Sequence, residues 1–572
     1  MEKILAGINK TTTREPIYFK LPIEHSNGNT EVSQNIIDDM ELLTGETPIY
    51  KTVFNIDDDF KSIIIDKLAK NYTTDKKFIK DSQIILGGEL PNIPNYDDIM
   101  KIRSDIENET SFIEKYNFID WKNLDFLNNN SQFLQALSLY EISSPVLSLA
   151  LPILLLIIPF FIIKIQGYEM DISTYFNVLK TVLSKHSIGQ IFSLKDAGWD
   201  KRIYAIISLV FYSLQVYYNI QSCRKFISNF KIIHERLFSV RDYLRETLIS
   251  IADFRHRISG LNSYIDFDNE LCKASEYISD VVRVYNQITP YSITLRKTGE
   301  IGHTMKCFYQ LYKVQWVTST LEYAINYNSY IYAFRTISSR LKCKQMNKCK
   351  IGSKTKFSKA YYPALVDIGH VDNTIDIRKN ILITGPNAAG KTTLLKTTLI
   401  NVILSQQFGC GFYKKATIKP YTHIHCYINI PDTSGRDSLF QAEARRCKDI
   451  IDSVSVLEKS NHFCVFDEIF SGTNPYEAVS AATAFLEHLN NLPNVSYMIT
   501  THFLGVCKSL SSDDGVKNMC MDVHRSGTNF TYTYKIKSGI SDVRGGLKVL
   551  MELNYPNSII SSAMKRLDEI VF

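Results

Sequence analysis

Residues 380–400 read NILITGPNAAGKTTLLKTTLI. Ile381, Leu382 and Ile383 form a short apolar run of the kind that makes a buried strand. Gly385-Pro386-Asn387-Ala388-Ala389-Gly390-Lys391-Thr392 fits GxxxxGK[ST], and Leu394, Leu395, Thr398 and Leu399 recur behind it at helical spacing. Strand, glycine loop and helix, in that order, are the setting in which such a loop wraps phosphates. Small side chains let the backbone close on the anion, and the helix N-terminus offers it unpaired N–H groups. Lys391 places a positive charge on the β- and γ-phosphates, and Thr392 offers a hydroxyl to Mg²⁺. The loop from Gly385 to Thr393, with Ala389 and Thr393 inside it, reads as a site for ATP and Mg²⁺.

Two further strands end in polar groups. Phe463-Cys464-Val465-Phe466 runs into Asp467-Glu468, 76 residues past Lys391. An acid pair at a strand end supplies one carboxylate, Asp467, for Mg²⁺ and a second, Glu468, as the base that takes a proton from the attacking water. Val495-Ser496-Tyr497-Met498-Ile499-Thr500-Thr501 leads to His502, placed to sense the γ-phosphate or orient the water. Glu468 and His502 are therefore the catalytic candidates, and Thr392 with Asp467 the metal candidates.

Upstream lies a basic stretch. Arg340, Lys342, Lys344, Lys348, Lys350, Lys354, Lys356 and Lys359 contain no acid among them. It fits either a phosphate-bearing surface or a solvated linker. Before it, Phe226, Phe230, Ile233, Leu237, Val240, Leu244, Leu248, Ile251, Phe254 and Ile258 step by three or four, a sustained helical stripe. Helical patterns continue to about residue 340, with breaks near Gly260 and Pro290. Further upstream, residues 145–163, PVLSLALPILLLIIPFFII, carry no charge over 19 positions. As a helix that is about 28 Å, close to the thickness of a bilayer core. Residues 203–220 are also uncharged and rich in tyrosine, including Tyr204, Tyr212, Tyr217 and Tyr218. Two spans form a membrane hairpin with both flanks on one side, and a nucleotide site on those flanks requires the cytosolic side. Residues 1–142 are rich in Asn, Asp, Ile and Lys and read as a small domain whose role the sequence does not give.

The 572 residues are 45% hydrophobic and 22% charged, with a net charge of +6. That excludes a wholly disordered chain, a collagen-like repeat and a disulfide mini-protein. The eleven cysteines, an odd number without a CxxC, read as reduced thiols. His423-Ile424-His425-Cys426 is simpler as a strand with Ile424 facing inward than as a metal site, and Cys343 and Cys349 lack partner histidines.

Together these motifs resemble the MutS family, the ABC-type ATPases of DNA mismatch repair. GPNAAGKTT is similar to that family's GPN-x-x-GK[ST]T loop, with Asn387 at its asparagine. Asp467-Glu468-Ile469-Phe470-Ser471-Gly472-Thr473 resembles its DE-x-x-x-GT segment, and Thr501-His502-Phe503 its TH-[FY]. Asp432-Thr433-Ser434-Gly435-Arg436-Asp437-Ser438-Leu439-Phe440-Gln441-Ala442-Glu443 resembles the family's signature loop, with Asp437 as one extra residue before the serine. Tyr361-Tyr362-Pro363-Ala364-Leu365 resembles the start of the ATPase domain, and the run from Tyr534 to Pro556, with Gly545-Gly546, its tail. The resemblance covers about 360–572, and the helices of 225–340 are similar to the family's levers only in type. It implies a dimer through the ATPase domain, with Ser438 of one subunit reaching the nucleotide of the other, and a DNA partner embraced by lever arms.

The departures are as specific. The F-x-E triplet that would serve a mismatch reader occurs before the hairpin only as Phe112-Ile113-Glu114, in an acidic, helical stretch. The hairpin is foreign to soluble repair proteins and resembles a membrane-anchored branch. The expected architecture is a small mixed α+β N-terminal domain (1–142), a two-span transmembrane hairpin (143–222, spans at about 145–163 and 203–220), an all-α lever (223–345) and an α/β P-loop ABC-type ATPase domain (346–572). Two functions compete. One is an ATP-switched clamp on DNA in mismatch repair or recombination. The other is a membrane-anchored, ATP-dependent scaffold acting on a protein or membrane partner.

Overall fold

A computed structural model describes residues 14–167, 171–184, 199–292, 294–428, 438–456, 460–526, 529–541, 543, 550–551 and 553–569. Residues 432–437 of the expected signature loop, and Gly545-Gly546 of the expected tail, lie outside these. The chain forms two compact units. One takes the N-terminal segment up to Tyr18, Pro94–Leu248 and Ala274–Ala324; the other takes Phe19–Ile93, Ile249–Lys273 and Ile325–Phe572.

The second unit holds the nucleotide-type motifs. Its strands are β1 (Asn29–Glu31), β2 (Asn71–Thr73), β3 (Asn347–Ile351), β4 (Lys356–Ala360), β5 (Asn373–Asp376), β6 (Asn380–Thr384), β7 (Cys410–Gly411), β8 (Tyr413–Ile418), β9 (His423–Tyr427), β10 (His462–Asp467), β11 (Val495–Thr500), β12 (Val516–Ser526) and β13 (Asn529–Ser538). The main sheet has the order β13-β12-β6-β11-β10-β9. All neighbours in it are parallel except β12 and β13. Parallel strands need both faces covered, which explains why β6, β10 and β11 read as near-continuous apolar runs. On one face Leu382, Phe466, Tyr497 and Ile499 pack with Ile450, Phe485 and Leu486 of the helices Leu439–Val456 and Pro475–Asn490.

A second sheet, β5-β4-β8-β3-β7, takes up four of the eight basic residues of the basic stretch. Cys349 and Phe357 face inward while Lys348, Lys350, Lys356 and Lys359 stay exposed, so these lysines sit on strands, not in a linker. Lys356 pairs with Asp376 and Lys359 with Asp372. Arg340 is no part of that surface, since its guanidinium donates to the carbonyls of Val53 (2.9 Å) and Thr52 and to Gln345 Oε1 at 2.8 Å.

The expected separate domain over 1–142 is not what the contacts give. Residues 19–93 are largely helical, with β1 and β2 as a small antiparallel pair, and belong to the unit that holds the glycine loop. The reason lies on the helix that follows that loop, Lys391–Phe408, which is buried almost all round. Tyr50 Oη donates to Gln407 Oε1 at 2.8 Å, and Gln407 Nε2 donates to the carbonyls of Leu68 (2.7 Å) and Asn71 (2.8 Å). Gln406 Nε2 serves Thr73 O and Tyr421 O. Phe54 meets Phe408 edge-on at 5.7 Å. Two glutamines that read as polar in sequence are core residues here because every polar atom is matched.

The first unit is helical among its described residues. Phe112 is 1% exposed and stacks on Tyr312 at 4.3 Å, beside Phe118 and Phe308. The F-x-E triplet is thus an aromatic core element. Residues 145–163 lie in the helix Ser131–Ile165, and residues 203–220 open a single 60-residue helix, Trp199–Ile258, about 90 Å long. The stripe of the expected arm therefore continues directly from the second apolar run. The two helices run antiparallel: Tyr212 Oη donates to Ser148 O at 2.9 Å, and Ser222 Oγ to Glu141 Oε2 at 2.8 Å. Among the described residues one helix, Arg202–Ile258, is long and apolar enough to cross a membrane, where the sequence reading expected two. Many side chains of 145–163 lie outside the described set.

Candidate nucleotide site

The site lies at the C-terminal ends of β6, β10 and β11, where a parallel sheet opens a crevice. Gly390 has φ +91°, a conformation that glycine adopts without a Cβ penalty. A Cβ there would also stand 3.2 Å from Tyr534 Cδ1. Ala388 is held at φ +61°, so the loop keeps its curl at a cost in strain.

Lys391 is 5% exposed, and its Nζ donates to the carbonyls of Gly385 (3.1 Å) and Pro386 (3.3 Å). The same ammonium lies 3.2 Å from His502 Nε2 and 3.4 Å from Glu468 Oε1. Burial pushes the Lys391 pKa down, against the pull of Glu468. Thr392 Oγ1 donates to Asp467 Oδ2 at 2.7 Å, and the Thr500 hydroxyl takes the other carboxylate oxygen. Thr500 was not singled out from sequence; its place at the end of a strand parallel to β10 was the available signal.

Glu468 sits at φ +53°, with its N–H on Thr500 O at 3.1 Å. Its Oε1 lies 2.8 Å from His502 Nε2. That hydrogen bond first, and Lys391 second, hold the Glu468 carboxyl below its ordinary pKa, against partial burial. Phe470 is also in the left-handed region, at φ +59°. The loop carrying both is tied down by Glu443, 3% exposed, which accepts from Ser471 N (3.1 Å), Ser471 Oγ (2.9 Å) and Gly472 N (3.2 Å).

A cleft of about 540 Å³ opens beside Lys391, Thr392 and Glu468, while Asp467 and His502 are not among its lining residues. Pro386, Asn387, Ala388, Gly390, Lys391, Thr392, Thr393 and Glu468 line it on the loop side; Tyr362, Leu365, Val371 and Tyr534 line it opposite. Its size and mixed lining suit a nucleotide. The tyrosine-rich wall is something the sequence placed only as the start and tail of the domain. Ala389 is buried under the loop. Ser438 is not in the cleft. It is exposed and caps the helix Leu439–Val456, exchanging hydrogen bonds with Gln441.

Residues 381–571 match the family model of MutS domain V. That C-terminal third of the chain is thus similar to MutS domain V. The chain is 28% identical over 218 residues to the DNA mismatch repair protein MutS of Persephonella marina, covering 37% of this chain and 25% of that protein. It is 29% identical over 186 residues to the DNA mismatch repair protein MutS of Pelotomaculum thermopropionicum, covering 32% and 21%. The chain thus spans a quarter or less of the length of these relatives. The MutS domain V match takes in the glycine loop, the Asp467-Glu468 pair, Ser438 and His502, and none of the helices of 131–258.

Proposed function

We propose that MutS domain V of this chain binds ATP with Mg²⁺ and hydrolyses it within a homodimer, switching a clamp that acts on DNA. The observation that carries the reading is the pairing of Thr392 with Asp467 at 2.7 Å, with Thr392 and Glu468 both lining the cleft. The residues fit the groups they would hold. A hydroxyl and a carboxylate of the kind Mg²⁺ takes are already side by side, and the loop is shaped where a Cβ at Gly390 would intrude. Bound Mg²⁺ supplies charge neutralisation on the β- and γ-phosphates.

The chain's own residues do the rest. Lys391 exchanges the carbonyls of Gly385 and Pro386 for phosphate oxygens. Glu468, kept ionised by His502 and Lys391, takes the proton of the attacking water as its oxygen bonds to the γ-phosphorus and ADP leaves. His502 orients Glu468. Ser438, exposed at a helix N-terminus, reaches the nucleotide of the partner subunit.

The reading extends to a membrane anchor. Ile203, Ile206, Val210, Phe211 and Leu214 are 43–67% exposed, and Val146, Leu147 and Leu149 of the facing helix are 51–67% exposed. Soluble surfaces rarely carry an apolar patch of that extent. A bilayer around 145–220, with the ATPase domain on the cytosolic side, would cover it.

The test is the ATPase rate of the detergent-solubilised chain with and without duplex, mismatched and branched DNA, at two salt concentrations. Stimulation that fades with salt is expected of a DNA clamp. Hydrolysis indifferent to every DNA would replace the clamp by a membrane scaffold with a protein or lipid partner.

A further inference from the structure

Residues 19–93 carry no motif, yet one of their carboxylates sits against the helix Leu439–Val456. Asp39 ends the short helix Gln34–Asp39 and is 6% exposed. Its Oδ2 accepts from Arg446 Nη2 at 3.3 Å and from the backbone N–H of Ile428 at 3.3 Å. Arg446 also donates to Cys426 O at 2.9 Å. A buried carboxylate that keeps both a guanidinium and an amide is a fixed point, since removing it strands the amide and leaves Arg446 with the Cys426 carbonyl alone among the described residues.

Arg446 lies on the helix Leu439–Val456, three residues after Glu443, so the two share a helix face. Glu443 in turn holds Ser471 and Gly472, just past Glu468. Ser438 caps the same helix. Two residues after Asp39, Glu41 pairs with Lys396 of the helix behind the glycine loop at 3.2 Å. One short stretch of the N-terminal lobe therefore grips both the helix behind the glycine loop and the helix that Ser438 caps.

We propose that Asp39 is a positioning residue. Through Arg446 it sets the seat of the helix Leu439–Val456, and through Glu443 it sets the loop that keeps Glu468 in its left-handed conformation. The N-terminal lobe is then a working part of the ATPase, governing turnover more than nucleotide binding. The kinetic part rests on the hydrolytic reading given above; the structural part does not.

The experiment uses the full chain with Asp39→Asn and, in case that variant fails to fold, Arg446→Gln. Backbone amide exchange over residues 468–474 is expected to quicken several-fold without nucleotide, at a temperature where variant and wild type are both folded. In the ATPase assay kcat is expected to fall about tenfold or more, with the Kd of a fluorescent ATP analogue within about twofold of wild type. Arg446→Lys, which keeps the charge, is expected to restore part of the rate. Unchanged exchange and kcat in both folded variants would overturn the proposal. So would a fall in nucleotide affinity that matches the fall in kcat, the mark of general loosening. Quickened exchange in a chain whose wild type does not hydrolyse ATP would leave the brace standing and remove the hydrolytic reading.

Discussion

His502 Nε2 stands 2.8 Å from Glu468 Oε1, and Lys391 Nζ stands 3.4 Å from the same oxygen. Glu468 is thus held ionised by two neighbours, with the histidine the stronger influence. This gives a pH prediction. A depressed carboxyl is charged above its lowered pKa and lost as base only when the pH falls through it. Removing the hydrogen bond raises that pKa toward the ordinary value. His502→Ala is expected to shift the acid limb of the kcat profile to higher pH, besides lowering the plateau. Rates across pH 4–8, in the two proteins, measure it. An acid limb at the same pH in both would show that His502 does not tune Glu468.

Gly390 makes the second prediction. At φ +91°, with Tyr534 Cδ1 3.2 Å from a would-be Cβ, the position resists any side chain. Gly390→Ala is expected to cost about 1–3 kcal/mol locally. Because the strain falls on the phosphate loop, nucleotide affinity drops roughly tenfold or more while the sheet stays folded. Fluorescent-nucleotide titration reads the loss, and far-UV circular dichroism reads the fold.

Much of this site was legible because its parts are local. The glycine loop, its strand and its helix span about twenty consecutive residues, and each acid or histidine ends its own apolar run. The apolar run 203–220 and the stripe to Ile258 were legible for the same reason, as two local patterns that the structure joins in one helix. The N-terminal lobe was not. Tyr50 meets Gln407 across 357 residues, and Asp39 meets Arg446 across 407. No period or motif marks a glutamine that will be buried with all its hydrogen bonds made. A domain boundary drawn at 142 follows composition, whereas the chain's packing follows those contacts.

That lobe supplies the third prediction. Gln407→Ala leaves Tyr50 Oη and the carbonyls of Leu68 and Asn71 without their partner in a buried setting. Each stranded group costs about 1–3 kcal/mol. The midpoint of urea denaturation is expected to fall clearly, and limited proteolysis is expected to begin within residues 19–93. Wild-type stability in this variant would mean that the lobe is held elsewhere.

The apolar helix gives the fourth. Ile206 and Phe211 are 57% and 67% exposed. An arginine at the centre of a span costs on the order of 3 kcal/mol. The wild-type chain is expected to stay with membranes through an alkaline wash, and the double variant Ile206→Arg, Phe211→Arg to be released. Release of the wild type would leave the apolar helix pair to a protein partner.

The central claim is that Glu468 takes the proton from water that attacks ATP held by Lys391 and Thr392. Single-turnover hydrolysis by the full chain, wild type beside Glu468→Gln, with nucleotide binding measured on the same samples, tests it most directly. The account predicts that the variant binds ATP as wild type does, loses turnover by about 10²–10⁴-fold, and accumulates as an ATP-bound dimer. Turnover in Glu468→Gln equal to wild type would contradict it.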